Sequence, residues 1–223
     1  MKRNKTSVIF RIFSIFQRKN LLCGRNIGMM LLAVFAFQAC SNDDNEEEEF
    51  PNWKETNATY FSQLYNTTLQ KISGGDTTWK IFKSYAKDQG TQGAATEHII
   101  VHVLEQAETT ESPLLSDTVR VDYQGRLLPS TSYSKGIVFD QSWAGDYNIE
   151  TNIPTKFAVN AVVDGFATAL QKMHVGDRWL VYIPQELGYR GENTSTIPAY
   201  STLIFDITLR AFYKPGKPVP AWK

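Results

Sequence analysis

The sequence predicts an α+β fold: a curved antiparallel β-sheet wrapped over one short α-helix, with an N-terminal helical extension. Three observations carry this. From Asp117 onward, short segments alternate apolar and polar residues between turn residues, the period of half-buried strands. Within that region only Gly165 to Met173 (GFATALQKM) has helical spacing, with Phe166, Leu170 and Met173 on one face. Ahead of it, Trp53 to Leu69 places Tyr60, Phe61, Leu64, Tyr65 and Leu69 roughly at i, i+3, i+4 spacing.

Each element follows from its own residues. Ser73-Gly74-Gly75-Asp76 breaks the first helix. Trp79 to Tyr85 fits a strand or a short helix equally, and Lys87 to Thr96 reads as loop. Glu97 to Glu105 is a strand with Ile99, Val101 and Val103 on one face and His98, Ile100, His102 and Leu104 on the other. Four strand residues span about 13 Å, so His98 and His102 cannot chelate one ion and are expected on a half-exposed face. Strands follow at Thr118–Tyr123, Ile137–Phe139, Lys156–Val159 and Arg178–Ile183, then a long closing one at Thr202–Phe212. The Lys214 to Lys223 tail, rich in Pro, is expected either to run extended and be packed by Trp222 or, equally, to serve as a self-docking or partner-docking Pro segment.

Charge is segregated along the chain. Lysine plus arginine and aspartate plus glutamate both total 23, yet residues 1–39 hold seven basic groups and no acidic one. The remainder carries 16 basic against 23 acidic groups, a net of −7, which excludes a dedicated nucleic-acid binder. The apolar run Ile27–Ala39 has 13 residues, short of the roughly 20 needed to span a bilayer. A basic leader, a short apolar run and small residues before Cys40 describe a secretory signal. The site resembles a bacterial lipobox, with Phe37 where Leu is usual, which implies acylation at Cys40 and a membrane anchor. Asp43, Asp44 and Glu46 to Glu49 form a solvated tether. The other cysteine, Cys23, lies in the leader, so the chain from Ser41 has neither a disulfide nor a cysteine-based zinc site.

The order of the later pieces resembles FKBP-type peptidyl-prolyl cis-trans isomerases over about Asp117 to Phe212. The carrying residues are Val119-Arg-Val-Asp-Tyr123-Gln-Gly125, Val138-Phe139-Asp140-Gln-Ser142, Phe157, and Val162-Val163-Asp-Gly165-Phe166. They continue with Leu170-Gln-Lys-Met173-His-Val-Gly176-Asp177, Ile183-Pro184, Leu187-Gly-Tyr189, Ile197-Pro198 and Thr202-Leu-Ile-Phe205-Asp206. Within the family it looks most like the longer variants among Bacteroidetes surface lipoproteins. The resemblance implies an FKBP-like fold and divides the chain into a lipoprotein signal peptide (1–39), an acidic tether (40–50), an N-terminal extension of helix plus strand (51–112), the isomerase domain (113–213) and the tail (214–223).

The resemblance also implies the site. Tyr123, Phe139, Val162, Val163, Phe166 and Phe205 would line a proline pocket, with Phe166 as its floor. Asp140 would polarise the twisted amide or orient Tyr123. Tyr189 would donate its hydroxyl to one substrate carbonyl, and Ile197 its backbone N–H to another. Such chemistry needs no cofactor and no metal. The partners implied are proline-containing polypeptides and, through Cys40, a membrane, at an envelope location on the outer membrane. An FK506-like ligand is a further candidate, against which the altered rim counts more than against catalysis. Arg190 stands where the family usually has Gly, implying a different loop path, and no Arg follows Asp140 as its usual charge partner. Leu127–Val138 and Gln141–Lys156 are longer than in the minimal domain and are expected to form a flap or recognition rim. The main alternative is a catalytically weak FKBP-like chaperone or peptide-binding module.

Overall fold

A computed structural model describes residues 48–222; the leader, Cys40 and most of the acidic tether lie outside the described residues. Strands β1 (Trp79–Lys83), β2 (His98–Glu105), β3 (Thr118–Arg126), β4 (Val138–Gln141), β5 (Thr155–Ala158), β6 (Arg178–Ile183) and β7 (Leu203–Tyr213) form one sheet. Its order is β1-β2-β6-β7-β3-β4, and all pairings are antiparallel. Two short strands share the free edge of β3: Gln124–Arg126 pair with β4, and Thr118–Val121 with β5.

The predicted alternation sets one face of this sheet. Ile99 and Val101 of β2, Val119, Val121 and Tyr123 of β3, Trp179, Val181 and Ile183 of β6, and Phe205, Ile207 and Leu209 of β7 are all buried. Helix α2 (Asp164–Lys172) lies across them and contributes Phe166 and Leu170, with Met173 just beyond its end. Gly165 permits the close approach, because a Cβ there would stand 2.3 Å from Ile183 Cγ2.

The opposite face is covered too, which the expectation of a sheet over one helix did not include. Helix α1 (Trp53–Ser73) packs beside β1, and its Tyr65 ring lies 5.7 Å from that of His98. His98 is therefore buried, not half-exposed, and its Nδ1 is 2.8 Å from the Ala94 carbonyl. His102 stacks on Trp79 at 4.5 Å. Trp79–Lys83, open between strand and helix in the sequence, is strand β1. The strand expected in the extension, β2, is hydrogen-bonded between β1 and β6, covering what would otherwise be an apolar strand edge. Trp53 Nε1 donates to Ser201 Oγ at 2.8 Å, and Asn57 Oδ1 accepts from the Thr202 N–H at 2.7 Å, fixing α1 to the segment entering β7.

The segment from Ser142 to Pro154 folds onto the sheet face opposite α2 rather than standing up as a flap. Asp122, fully buried there, accepts from Tyr147 Oη at 3.0 Å, Asn152 Nδ2 at 3.0 Å and Arg210 Nη1 at 2.5 Å. Trp143 is buried against Tyr147, with ring centroids 4.8 Å apart. The tail follows the same face: Arg120 donates to the Pro220 carbonyl at 3.0 Å, and the Arg210 guanidinium lies 5.1 Å from the Trp222 ring.

Candidate active site

A cavity of about 400 Å³ opens between β3, the first turn of α2 and the loop after β6. Its wall is aromatic because three neighbouring elements each present a ring to the same space. Tyr123 arrives from β3, Phe205 from β7 and Phe166 from α2, with centroids 6.2 Å (Tyr123–Phe166) and 4.9 Å (Phe166–Phe205) apart. Edge-on contacts of this kind are the favoured arrangement for aromatic pairs. Val162 and Val163 line the cavity at the entry to α2, and Tyr189, 37% exposed, stands in the loop at its mouth.

The polar groups are few and specifically paired. Tyr123 Oη donates to Asp140 Oδ2 at 2.8 Å, and Asp140 Oδ1 accepts from the Gln141 N–H at 2.9 Å. Burial, and next the Asp140 carboxylate that takes its hydrogen bond, push the Tyr123 hydroxyl well above its ordinary value. At neutral pH it is therefore protonated and remains a donor. Ser142 fixes the Tyr123 backbone in both directions: its Oγ accepts the Tyr123 N–H at 2.9 Å, and its N–H donates to the Tyr123 carbonyl at 2.8 Å. Ser142 appears in the motif as a bystander, and nothing in its spacing marks this clamp.

Seven of the nine side chains expected at the pocket line this cavity: Tyr123, Asp140, Val162, Val163, Phe166, Tyr189 and Phe205. Phe139 stands one ring back, edge-on to Phe205 at 5.4 Å. Ile197 departs from its expected role. It is buried, and its N–H donates to Thr194 Oγ1 at 2.9 Å while its carbonyl accepts from the Thr194 N–H. This reciprocal pair closes the turn on itself, so the N–H is not free for a substrate carbonyl. Phe157 and Ala161 line the cavity without having been singled out as site residues. For Phe157 the signal was its aromatic ring in the motif just before Val162-Val163; its ring meets that of Tyr123 at 5.3 Å. Arg190 has φ 57°, so the left-handed turn open to glycine is made here by an arginine. Cys40 lies outside the described residues.

The model of the FKBP-type peptidyl-prolyl cis-trans isomerase family matches residues 109–210. Among curated relatives, the FKBP-type 22 kDa peptidyl-prolyl cis-trans isomerase of Escherichia coli is 36% identical over 132 residues, covering 58% of this chain and 57% of that one. FK506-binding protein 2 of Aspergillus oryzae is 30% identical over 133 residues, covering 59% of this chain and 90% of its own. The crystal structure of FkpA from Escherichia coli superposes with a TM-score of 0.48 at 25% identity, over 72% of this chain and 61% of that one. With a relative matched over nine-tenths of its length, this chain belongs to the FKBP-type peptidyl-prolyl cis-trans isomerase family. It spans about half the length of the first curated relatives it matches.

Proposed function

We propose that the protein is a peptidyl-prolyl cis-trans isomerase acting on proline-containing polypeptides that fold outside the cytoplasm. The observation that carries this reading is the aromatic cavity with the Tyr123–Asp140 pair in its wall and Tyr189 at its mouth. Rotation about a peptide bond has a barrier of about 18–20 kcal/mol, set by amide resonance. Twisting the bond removes that resonance and lowers the charge separation of the amide. A cavity that strips water from the planar, hydrated ground state therefore favours the twisted form. The Phe166 ring offers the floor on which the pyrrolidine would rest. Asp140 would act chiefly by holding the Tyr123 hydroxyl, and Tyr189 would donate to a carbonyl of the bound chain.

The envelope anchor is part of the proposal and rests on the leader and on Cys40. Glu48 already touches the folded unit, its carbonyl accepting from Thr131 Oγ1 at 2.8 Å. Eight residue steps allow at most about 28 Å between Cys40 and Glu48, which would tether the folded unit to a lipid surface.

Protease-coupled isomerisation of an Xaa-Pro peptide tests the reading on the chain from Ser41 onward. Acceleration by wild type is expected, falling about tenfold in Asp140→Ala, the kinetic equivalent of one hydrogen bond to a charged group. Tyr189→Phe should cost a smaller factor, about threefold, for a neutral hydrogen bond. Acceleration unaffected by either variant would remove the assigned roles but keep the enzyme. No acceleration by folded wild type would leave a peptide-binding module.

A further inference from the structure

Two non-glycine residues of the Tyr189 loop occupy the left-handed region of backbone space, Arg190 at φ 57° and Tyr200 at φ 65°. Such conformations cost free energy for side chains with a Cβ and persist only where the surroundings over-determine them. Here the surroundings are identifiable. The Arg190 N–H donates to the Gln185 carbonyl at 2.9 Å, and its own carbonyl accepts from the Tyr200 N–H at 2.7 Å. The two strained residues are thus hydrogen-bonded to each other and to the short 3-10 turn Gln185–Leu187.

The Arg190 side chain continues outward from this knot. Its Nη2 lies 3.3 Å from Asp164 Oδ2, and its Nε donates to the Glu186 carbonyl at 3.4 Å. Asp164 is the first residue of α2, directly after Val162 and Val163 in the cavity wall, and its carboxylate faces the positive end of the helix dipole. Arg190 therefore joins the residue next to Tyr189 to the residue next to Val163. The guanidinium is 65% exposed and the carboxylate 39%, so the pair contributes little to global stability. Its geometric consequence is local: it ties together the chain neighbours of Tyr189 and Val163, two residues that line the cavity.

We infer that Arg190 is a positioning residue, clasping Asp164 so that Tyr189 is held over the cavity wall. The kinetic consequence rests on the isomerase reading; the clasp itself does not. Arg190→Gly separates positioning from stability, because glycine accepts the left-handed turn without strain while removing the guanidinium. In the full chain, its melting temperature is expected to match or exceed that of wild type. Amide hydrogen exchange at Glu192 and Tyr200, whose N–H groups bond to the Tyr189 and Arg190 carbonyls, is expected to rise severalfold, with strands β3 and β7 unchanged. Catalytic efficiency should fall about threefold, the scale of one exposed ion pair.

Asp164→Asn should reproduce both effects, and the double variant should lose no more than either single one. Arg190→Lys, which keeps the charge, should recover part of the loss. Raising salt to 1 M should bring wild type to the level of Asp164→Asn and leave that variant unchanged. Unaltered loop exchange in both single variants would overturn the clasp. So would additive losses, or a loss confined to substrates with acidic residues beside proline, which would make Arg190 a substrate contact instead. Should wild type show no isomerisation at all, that failure belongs to the isomerase reading, and the exchange measurement still decides the clasp.

Discussion

At the scale of single residues, one position behind the cavity wall matters because it has no side chain. Gly125 of β3 pairs with Asp140 on one side and Phe205 on the other. A Cβ there would fall 2.5 Å from Phe139 Cζ and 2.6 Å from Phe205 Cε1, so the rings can meet edge-on only because the position is empty. Gly125→Ala is expected to destabilise the fold by about 1–3 kcal/mol, the range for overpacking, as read by urea unfolding. It should also lower activity, because the Phe205 ring that the new methyl would displace lines the cavity. An unaltered unfolding midpoint would show that the rings relax elsewhere. The sequence displayed Gly125 within its motif, but the distance that makes it necessary lies between three strands.

At the scale of elements, the longer segment after β4 illustrates what spacing can and cannot say. Its extra length was visible, and a flap or rim was the expectation. Its actual course follows from Asp122, which draws Tyr147, Asn152 and Arg210 to one buried carboxylate on the sheet face away from the cavity. Removing one partner of a buried ion pair strands the other, at a typical cost of about 3–5 kcal/mol. Asp122→Ala should therefore lower the urea midpoint strongly and raise proteolysis within 143–154. Pairing it with Arg210→Met should recover much of the stability, since an apolar replacement leaves no unpaired charge. If the double variant is as unstable as the single one, the packing of Tyr147 and Asn152 matters more than the charge. The Asp122–Arg210 contact joins residues 88 apart in the chain, and no local period announces it.

At the scale of the whole molecule, four tyrosines shape the response to alkali. Burial, and then Tyr60 beside it, push the Tyr182 hydroxyl up to about 12. Burial is also the main cause of the upward shifts at Tyr60, Tyr123 and Tyr147. In the unfolded chain these groups release their protons near pH 10. The native state holds them more tightly, so their contribution is fully present below about pH 10 and is lost as pH rises towards 12. Urea midpoints are expected to stay level from about pH 7 to 9.5 and then to decline. Tyr182→Phe should make that decline shallower. A midpoint already falling at neutral pH would assign the sensitivity to other groups.

Alternation along β3, β6 and β7, the helical face of α2 and the ordered motif around Tyr123, Asp140, Val162-Val163, Phe166 and Tyr189 were legible in the amino-acid sequence. These properties are carried by residues a few positions apart, where period and backbone preference fix which side faces inward. Other features were decided only in the folded chain. They include the entry of β2 into the main sheet, the packing of α1 on its second face, the closure of the Ile197 N–H by Thr194 and the reach of Arg190 to Asp164. The contacts of Trp53 with Ser201 and of Asn57 with Thr202 join residues 148 and 145 positions apart. A local pattern states that a residue needs a partner on a given face. Which distant residue meets that need depends on the complete topology of the sheet, because only closure of the tertiary structure brings the two together.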